Sequence, residues 1–155
     1  MKVLKFGGTS VADSKSINKV VSILNNYDEN LLIIVSAFGG VTNLLQECIN
    51  LKGKSTEGIL KEIETRHLEV IDNLSSLDGQ SSLKSFLKEK LNELEDILDA
   101  ISTIDEVTQK IISKILTLGE ILSSSIIYEI LKQKRFDISY LNSKEVIYSK
   151  SFNNN

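Results

Sequence analysis

The feature that most constrains the fold is the order of segments over residues 1–36, where an amphipathic segment separates two apolar ones. The first apolar segment, residues 2–6, is rich in side chains that favour a β-strand. Asp13 is a typical helix N-cap, and the apolar residues after it recur at the spacing of one helical face. The continuous apolar run at residues 31–35 is typical of a strand buried on both faces of a parallel sheet. Together these segments predict a βαβ unit.

A pair of glycines follows each predicted strand: Gly7-Gly8 forms the first glycine turn and Gly39-Gly40 the second. The carboxyl ends of parallel strands share one edge of a sheet, and ligands bind at that edge. N–H groups at a glycine turn that leads into a helix favour an anion such as phosphate, and Lys5 adds a positive charge beside the first turn. The alternative is a strand followed by a plain loop. Neither turn matches a Walker A loop or a GxGxxG fingerprint.

Three side chains near these turns each allow two interpretations. Ser36 ends the second strand, where its hydroxyl either satisfies the backbone or faces a site. Thr42 lies in the first turn of a helix predicted from about residue 41 to residue 51, and it either starts that helix or contacts a ligand. Glu120 stands between apolar neighbours, as a solvated helix residue or as a buried functional acid. The pattern alone leaves all three open.

Composition narrows the class of protein. The 155 residues are 41% hydrophobic and 25% charged, which is ordinary for one globular domain able to bury a core. The net charge is -3 and no basic block occurs, so we expect a small-molecule partner and neither nucleic acid nor a membrane. The single cysteine, Cys48, cannot form an internal disulfide and is typical of a small core residue. Without a signal-like segment, the expected location is the cytoplasm.

Residues 57–134 predict a succession of helices. The only histidine, His67, falls on an apolar stripe, which favours a packing role over a catalytic one. Residues 87–101 carry a heptad-like seam of leucine and isoleucine, and its partner is either the helix before it or a second subunit. Alternating apolar residues over 136–141 predict a third parallel strand. No set of residues has metal-ligand spacing.

Three segments resemble motifs of the aspartate kinases, a group within the amino-acid kinase family. Residues 5–11 read KFGGTSV and resemble the opening motif of that group. Residues 31–45 read LLIIVSAFGGVTNLL and resemble its second strand and the turn that follows. Residues 119–124 read GEILSS and resemble its Gly-Glu-x-Leu-Ser segment. Residues 91–98, LNELEDIL, further resemble the kinase part of bifunctional aspartokinase/homoserine dehydrogenases.

The resemblance implies an α/β fold class, namely the N-terminal half of an amino-acid-kinase-type α/β/α sandwich with a mostly parallel sheet and a large helical insertion. Residues 1–155 would form the N-terminal, substrate-side lobe of the catalytic domain. The nucleotide lobe and the regulatory ACT domains of such enzymes have no counterpart in this stretch, so we expect a truncated piece that is inactive alone. The full-length enzyme is expected to be a homo-oligomer.

The implied reaction is ATP-dependent phosphorylation of the β-carboxylate of L-aspartate to 4-phospho-L-aspartate, the first step towards lysine, threonine and methionine. Lys5 would be catalytic, stabilising charge on the transferred phosphoryl group. Mg²⁺ would accompany ATP. The residues implied in phosphate and ATP binding are Lys5, Gly7, Gly8, Thr9, Ser10, Gly39 and Gly40. Those implied in binding L-aspartate are Ser36, Thr42 and Glu120.

One segment departs from the family pattern. Residues 142–144 are Asn-Ser-Lys where the family usually has Asp-Ser/Ala-Arg. A negative charge is therefore lost, and lysine cannot make the bidentate contacts of the arginine that it replaces. Two other functions stay open for the chain. One is another member of the amino-acid kinase family, and the other is a non-catalytic lobe that binds phosphate or a partner chain.

Overall fold

A computed structural model describes residues 1–143 of the chain. Two short strands precede a larger set of helices, and one buried core joins them. The elements in order are β1 (Lys2–Phe6), α1 (Ser14–Leu24), β2 (Leu31–Val35), α2 (Val41–Asn50), α3 (Glu57–Leu74), α4 (Leu77–Ile104) and α5 (Gln109–Gln133).

The predicted βαβ unit is confirmed. β1 and β2 pair in parallel, with a register that runs from Lys2 opposite Leu31 to Phe6 opposite Val35. α1 connects them, and the Asp13 carboxylate caps it by accepting a 2.7 Å hydrogen bond from the backbone N–H of Ser16. Because the strands are parallel and in register, Phe6 and Val35 end side by side. The two glycine turns therefore leave the same edge of the sheet.

β2 is less buried than its apolar sequence predicts. Ile34 is 44% exposed, and the other four residues of the strand are only half-buried. β1 is the only strand that pairs with β2 in residues 1–143. Beside β2 lies a groove of about 550 Å³, walled by side chains of α5 and by residues 138–143. The prediction of a strand covered on both faces is therefore wrong for the described part of the chain, where an open groove takes the place of a covering layer.

The third predicted strand does not form. Phe136 and Ile138 alternate with exposed residues and pack against the core, as the pattern indicates, but residues 136–142 adopt no regular secondary structure. A strand requires a neighbour with which to exchange backbone hydrogen bonds, and this segment lies across the groove from β2. Alternation predicted the packing of Phe136 and Ile138, but Tyr140 is 43% exposed and no ladder forms. Lys144, the last residue of the segment that departs from the family pattern, lies outside the described residues.

The helical region is confirmed, and it answers the question about the seam on α4. Leu87, Leu94, Leu98 and Ile101 are buried and Leu91 is half-buried. Both α3 and α5 pack against α4. The seam therefore faces helices of the same chain.

α5 is the central helix of the core. It contacts α2, α3, α4 and β2, and nine of its residues are buried. By length and composition alone it is also apolar enough to cross a membrane. The residues that it buries against three helices and a strand account for much of that apolar composition, because such a helix presents apolar side chains on more than one face.

Candidate functional site

A pocket of about 420 Å³ lies at the carboxyl ends of β1 and β2, and we call it the strand-end pocket. Its wall combines backbone from both glycine turns with side chains from the start of α2 and the middle of α5. The lining residues are Gly8, Thr9, Ser36, Ala37, Phe38, Gly39, Gly40, Thr42, Asn43 and Glu120. The predicted convergence of the two turns on one crevice is thus confirmed.

The first glycine turn is a tight backbone turn beneath a lysine. The N–H groups of Ser10 and Val11 both donate to the Gly7 carbonyl, at 2.8 and 3.2 Å. The Lys5 ammonium folds over the turn, since Nζ lies 3.4 Å from the position that a Cβ on Gly7 would take. No carboxylate in residues 1–143 forms an ion pair with Lys5. A positive charge is therefore available beside the pocket, although Lys5, Gly7 and Ser10 do not line it.

The second glycine turn leads directly into α2. Gly40 is the N-cap with φ of 81°, a left-handed conformation that favours glycine. The Val41 N–H closes the turn by donating to the Phe38 carbonyl at 3.0 Å. No side chain caps this helix, and the N–H groups of Thr42 and Asn43 have no acceptor in the described part of the chain. Thr42 is thus not a capping residue, and the free N–H groups together with the helix dipole favour an anion.

The two turns touch each other, which leaves no space for side chains between them. A Cβ on Gly39 would lie 2.7 Å from the Ala12 Cβ, and one on Gly8 would lie 3.3 Å from the Ala37 carbonyl oxygen. Contacts this close would push the turns apart. The backbone is therefore directly accessible from the pocket, as phosphate binding by N–H groups requires.

α5 brings Glu120 to the opposite wall because Gly119 allows a close approach. A Cβ on Gly119 would lie 3.0 Å from the Ala37 Cβ and 3.1 Å from the Leu45 Cδ1. Glu120 is half-buried, lines the pocket, and forms no ion pair within residues 1–143. It is thus neither fully solvated nor fully buried. An unpaired carboxylate on the pocket wall is available to an ammonium group.

Ser123 links α5 to the end of β2 by a hydrogen bond. Its side chain is fully buried, and its hydroxyl donates to the Ser36 carbonyl at 2.9 Å, across 87 residues of sequence. The Ser36 hydroxyl, in contrast, makes no hydrogen bond in residues 1–143, so its predicted role at the site stays a prediction.

We expect Ser123→Ala to lower the free energy of unfolding by about 1 kcal/mol, because the part-buried Ser36 carbonyl loses its donor. The neighbouring Ser124→Ala is the control, since that hydroxyl bonds to its own helix and to the exposed Tyr140 hydroxyl. Urea unfolding followed by circular dichroism measures both. Equal losses in the two variants would contradict the role assigned to Ser123.

His67 and Cys48 are core residues, as predicted. Both are fully buried, and the His67 ring packs against Phe38 with ring centroids 5.0 Å apart. Burial raises the pKa of the Cys48 thiol to about 11, so the thiol stays protonated and unreactive near neutral pH. In residues 1–143, no three His, Cys, Asp or Glu side chains are placed to hold a metal ion.

Sequence analysis did not single out Asn43, which lines the pocket, or Arg66 on α3, which contacts the second glycine turn. Its Nη1 donates to the Gly39 carbonyl at 2.8 Å, while Nε and Nη2 donate to Glu62 Oε1 at 3.2 and 2.6 Å. A glutamate and an arginine four residues apart are typical of any solvated helix face. Nothing in that spacing indicates a contact with a glycine 27 residues earlier.

Comparison with known proteins identifies the family. The family model described as "Amino acid kinase family" matches residues 1–153. The chain belongs to the amino acid kinase family. Its resemblance to the aspartate kinases is confirmed by an aspartokinase of Chlamydia pneumoniae, 33% identical over 145 residues, which are 94% of this chain and 30% of that protein. A bifunctional aspartokinase/homoserine dehydrogenase of Buchnera aphidicola is 29% identical over 150 residues, covering 92% of this chain and 18% of that protein.

The fold of this amino acid kinase family member agrees with that of solved relatives. Escherichia coli aspartokinase III, solved in complex with aspartate and ADP, superposes with a TM-score of 0.84 at 22% identity, covering 94% of this chain and 32% of that one. The predicted α/β class and amino-acid-kinase type are therefore confirmed. The chain spans less than a third of the length of the aspartokinases it matches.

Proposed function

We propose that this family member provides the substrate side of an ATP-dependent aspartate kinase, which phosphorylates the β-carboxylate of L-aspartate to 4-phospho-L-aspartate. The observation that carries the proposal is the strand-end pocket itself, where both glycine turns, the uncapped start of α2 with Thr42, and Glu120 line one cavity. Anion-binding backbone and an ammonium-binding carboxylate in one pocket suit a reaction between a phosphate donor and an amino acid.

In this proposal the glycine turns bind phosphate oxygens through their N–H groups, together with Thr9 and Ser10. Lys5 stabilises the charge on the transferred group, for which its unpaired ammonium is suited. An oxygen of the aspartate β-carboxylate attacks the γ-phosphorus of ATP, the bond from that phosphorus to the bridging oxygen breaks, and ADP leaves. Phosphoryl transfer depends on alignment and charge neutralisation, which are the properties these groups provide.

Glu120 is proposed to bind the α-ammonium group of L-aspartate, while Ser36 and Thr42 orient the substrate from the opposite side. These side chains line the pocket, and the hydroxyl of Ser36 and the carboxylate of Glu120 have no partner in residues 1–143. Mg²⁺ would accompany ATP and neutralise its phosphate charge. Among residues 1–143 the pocket offers it one carboxylate, so we assign no resident metal site to these residues.

We further propose that residues 1–155 bind aspartate and phosphate but do not complete turnover alone. The relatives place the same region within proteins about three times longer. Assembly of the whole enzyme as a homo-oligomer in the cytoplasm, and a place in the lysine and threonine pathways, belong to the same proposal.

Isothermal titration of the chain with L-aspartate tests the proposal directly. We expect Glu120→Gln to weaken binding roughly tenfold or more, because a charge-assisted hydrogen bond to the ammonium group is lost. Glu129→Gln is the matched control, since it makes the same change on the same helix at a site paired with Lys132. No aspartate binding, or equal binding by both variants, would contradict the proposal.

A coupled ATP-turnover assay with L-aspartate and Mg²⁺ completes the test. We expect no turnover from residues 1–155. The control is Lys19→Ala, which changes an exposed lysine of α1. If the chain does turn over ATP, and the rate falls on the order of 100-fold in Lys5→Ala but not in Lys19→Ala, the kinase activity is supported. The proposal that residues 1–155 are inactive alone is then contradicted. Binding of inorganic phosphate without aspartate would instead favour a non-catalytic phosphate-binding lobe, the function suggested by the uncapped turn alone.

A further inference from the structure

We propose that Arg66 is a positioning residue for the strand-end pocket, and that it holds the second glycine turn in the conformation that directs backbone N–H groups at a phosphate. The inference rests on the proposed function. It assigns a task to a side chain that lies outside every motif of the sequence and outside the pocket lining.

The guanidinium contacts the outer side of the turn. Its Nη1 donates to the Gly39 carbonyl at 2.8 Å and lies 3.1 Å from the position that a Cβ on Gly40 would take. The Gly39 carbonyl precedes the left-handed Gly40, so a donor on that oxygen restrains the peptide plane between the two glycines. Because a peptide plane carries its N–H opposite its C=O, holding the carbonyl on α3 orients the N–H of Gly40 away from α3.

Glu62 restrains the orientation of the Arg66 guanidinium. One oxygen of this carboxylate accepts from both Nε and Nη2, four residues earlier on the same helix. The planar guanidinium is thereby bound on one side by its own helix and on the other by the turn, an arrangement that the single ammonium of lysine cannot reproduce.

The Arg66–Glu62 ion pair argues against a purely electrostatic role for Arg66. Glu62 neutralises the arginine at 2.6 Å, so the net charge that the pair adds behind the turn is small. The Arg66 side chain is 41% exposed and that of Glu62 is 49% exposed, so solvent screens the remaining charge further. Geometry is therefore the larger contribution. Gly40 reinforces it, since any Cβ there would displace the guanidinium as well as strain the backbone.

Amide hydrogen exchange of the ligand-free chain, measured by NMR, tests the geometric part. The reporter is the Val41 N–H, whose hydrogen bond to the Phe38 carbonyl closes the turn. We expect Arg66→Ala to accelerate its exchange roughly tenfold. Lys61→Ala removes the same charge from the same helix, where Lys61 pairs with Glu64, and should leave the rate within about twofold. Unchanged exchange in Arg66→Ala overturns the proposal.

Titration with inorganic phosphate tests the functional part. We expect Arg66→Ala to raise the phosphate dissociation constant about fivefold or more while the midpoint of urea unfolding stays near that of Lys61→Ala. In Glu62→Gln the arginine becomes an uncompensated charge. If that variant binds phosphate more tightly and Arg66→Ala binds it normally, the charge near the turn affects binding and the position of the arginine does not. That result would overturn the proposal.

The two readouts separate this inference from the proposed function. If the unmodified chain does not bind phosphate, the proposed function fails. The exchange rate of Val41 still decides whether Arg66 holds the turn.

Discussion

Gly53→Ala is expected to lower the free energy of unfolding by roughly 4 kcal/mol, the largest effect that we expect of a glycine-to-alanine substitution in residues 1–143. Gly53 lies between α2 and α3 with φ of 72°, where any other residue is strained. A Cβ at this position would lie 2.1 Å from the Leu98 carbonyl oxygen and 2.8 Å from its carbon. Those atoms are helix backbone, so relief requires a movement of α4 as a whole.

The control for this substitution is Gly58→Ala. Gly58 lies in the first turn of α3, and a Cβ there meets no atom within 4 Å. Because alanine is the better helix former, we expect Gly58→Ala to be neutral or to stabilise the chain by up to about 1 kcal/mol. Urea unfolding followed by circular dichroism measures both variants. A loss below about 1 kcal/mol in Gly53→Ala would show that the loop moves away from α4 at little cost.

The ion pairs beside Gly53 do not explain such a loss. Lys52 and Lys54 both pair with Asp105 at the C-terminal end of α4, at 3.2 and 3.0 Å. The Asp105 side chain is 56% exposed, so these pairs contribute little. We attribute the expected loss to the close packing of Gly53 against the Leu98 backbone of α4.

Acidification is expected to destabilise the chain through His67. Burial lowers the pKa of His67 to about 4, and the hydrogen bond of Nδ1 to the Ile63 carbonyl opposes this only in part. Its Nε2 is buried without a partner, so a proton added there would have no acceptor in the described structure. The folded state therefore requires neutral histidine, whereas the unfolded chain accepts the proton at its ordinary pKa of 6.5.

The direction of the pH dependence follows from these two pKa values. Stability is full above pH 6.5, falls as the pH drops because the unfolded state binds the proton first, and levels near pH 4. The total loss is about 3.5 kcal/mol at about 1.4 kcal/mol per pKa unit, and about 3 kcal/mol of it falls between pH 8 and pH 4. Because His67 packs against Phe38, which lines the strand-end pocket, we expect protonation of His67 to perturb the pocket as well.

Urea unfolding at several pH values between 4 and 8 measures this loss. His67→Leu, which cannot titrate, is the control, and the difference between the two proteins removes the contribution of surface carboxylates such as Asp13 and Asp105. We expect the difference to change by about 3 kcal/mol across the interval. A difference independent of pH would mean that His67 is protonated in the folded chain without cost.

The sequence predicted the secondary structure well where one residue pattern admits one physical solution. Asp13 before an amphipathic segment defined the start of α1, and apolar stripes defined α3, α4 and α5. The parallel pairing of β1 and β2 followed because a helix connects them. The convergence of the two glycine turns then followed from topology.

The two wrong predictions share a cause. The apolar run of β2 and the alternation over 136–141 describe what each segment can bury, whereas burial and pairing depend on what lies beside them. In residues 1–143 the neighbour of both segments is a groove of about 550 Å³.

What the sequence determined by itself is the order of the elements and the chemistry placed at their ends, because helix periodicity, caps and glycine turns are properties of neighbouring residues. The tertiary structure alone decided that Ser123 donates to the Ser36 carbonyl, that Gly53 rests on Leu98, and that Arg66 holds the second glycine turn. These contacts join residues 27 to 87 positions apart, or depend on space that no local pattern records. Close packing of distant segments creates them, and so only the folded chain reveals them.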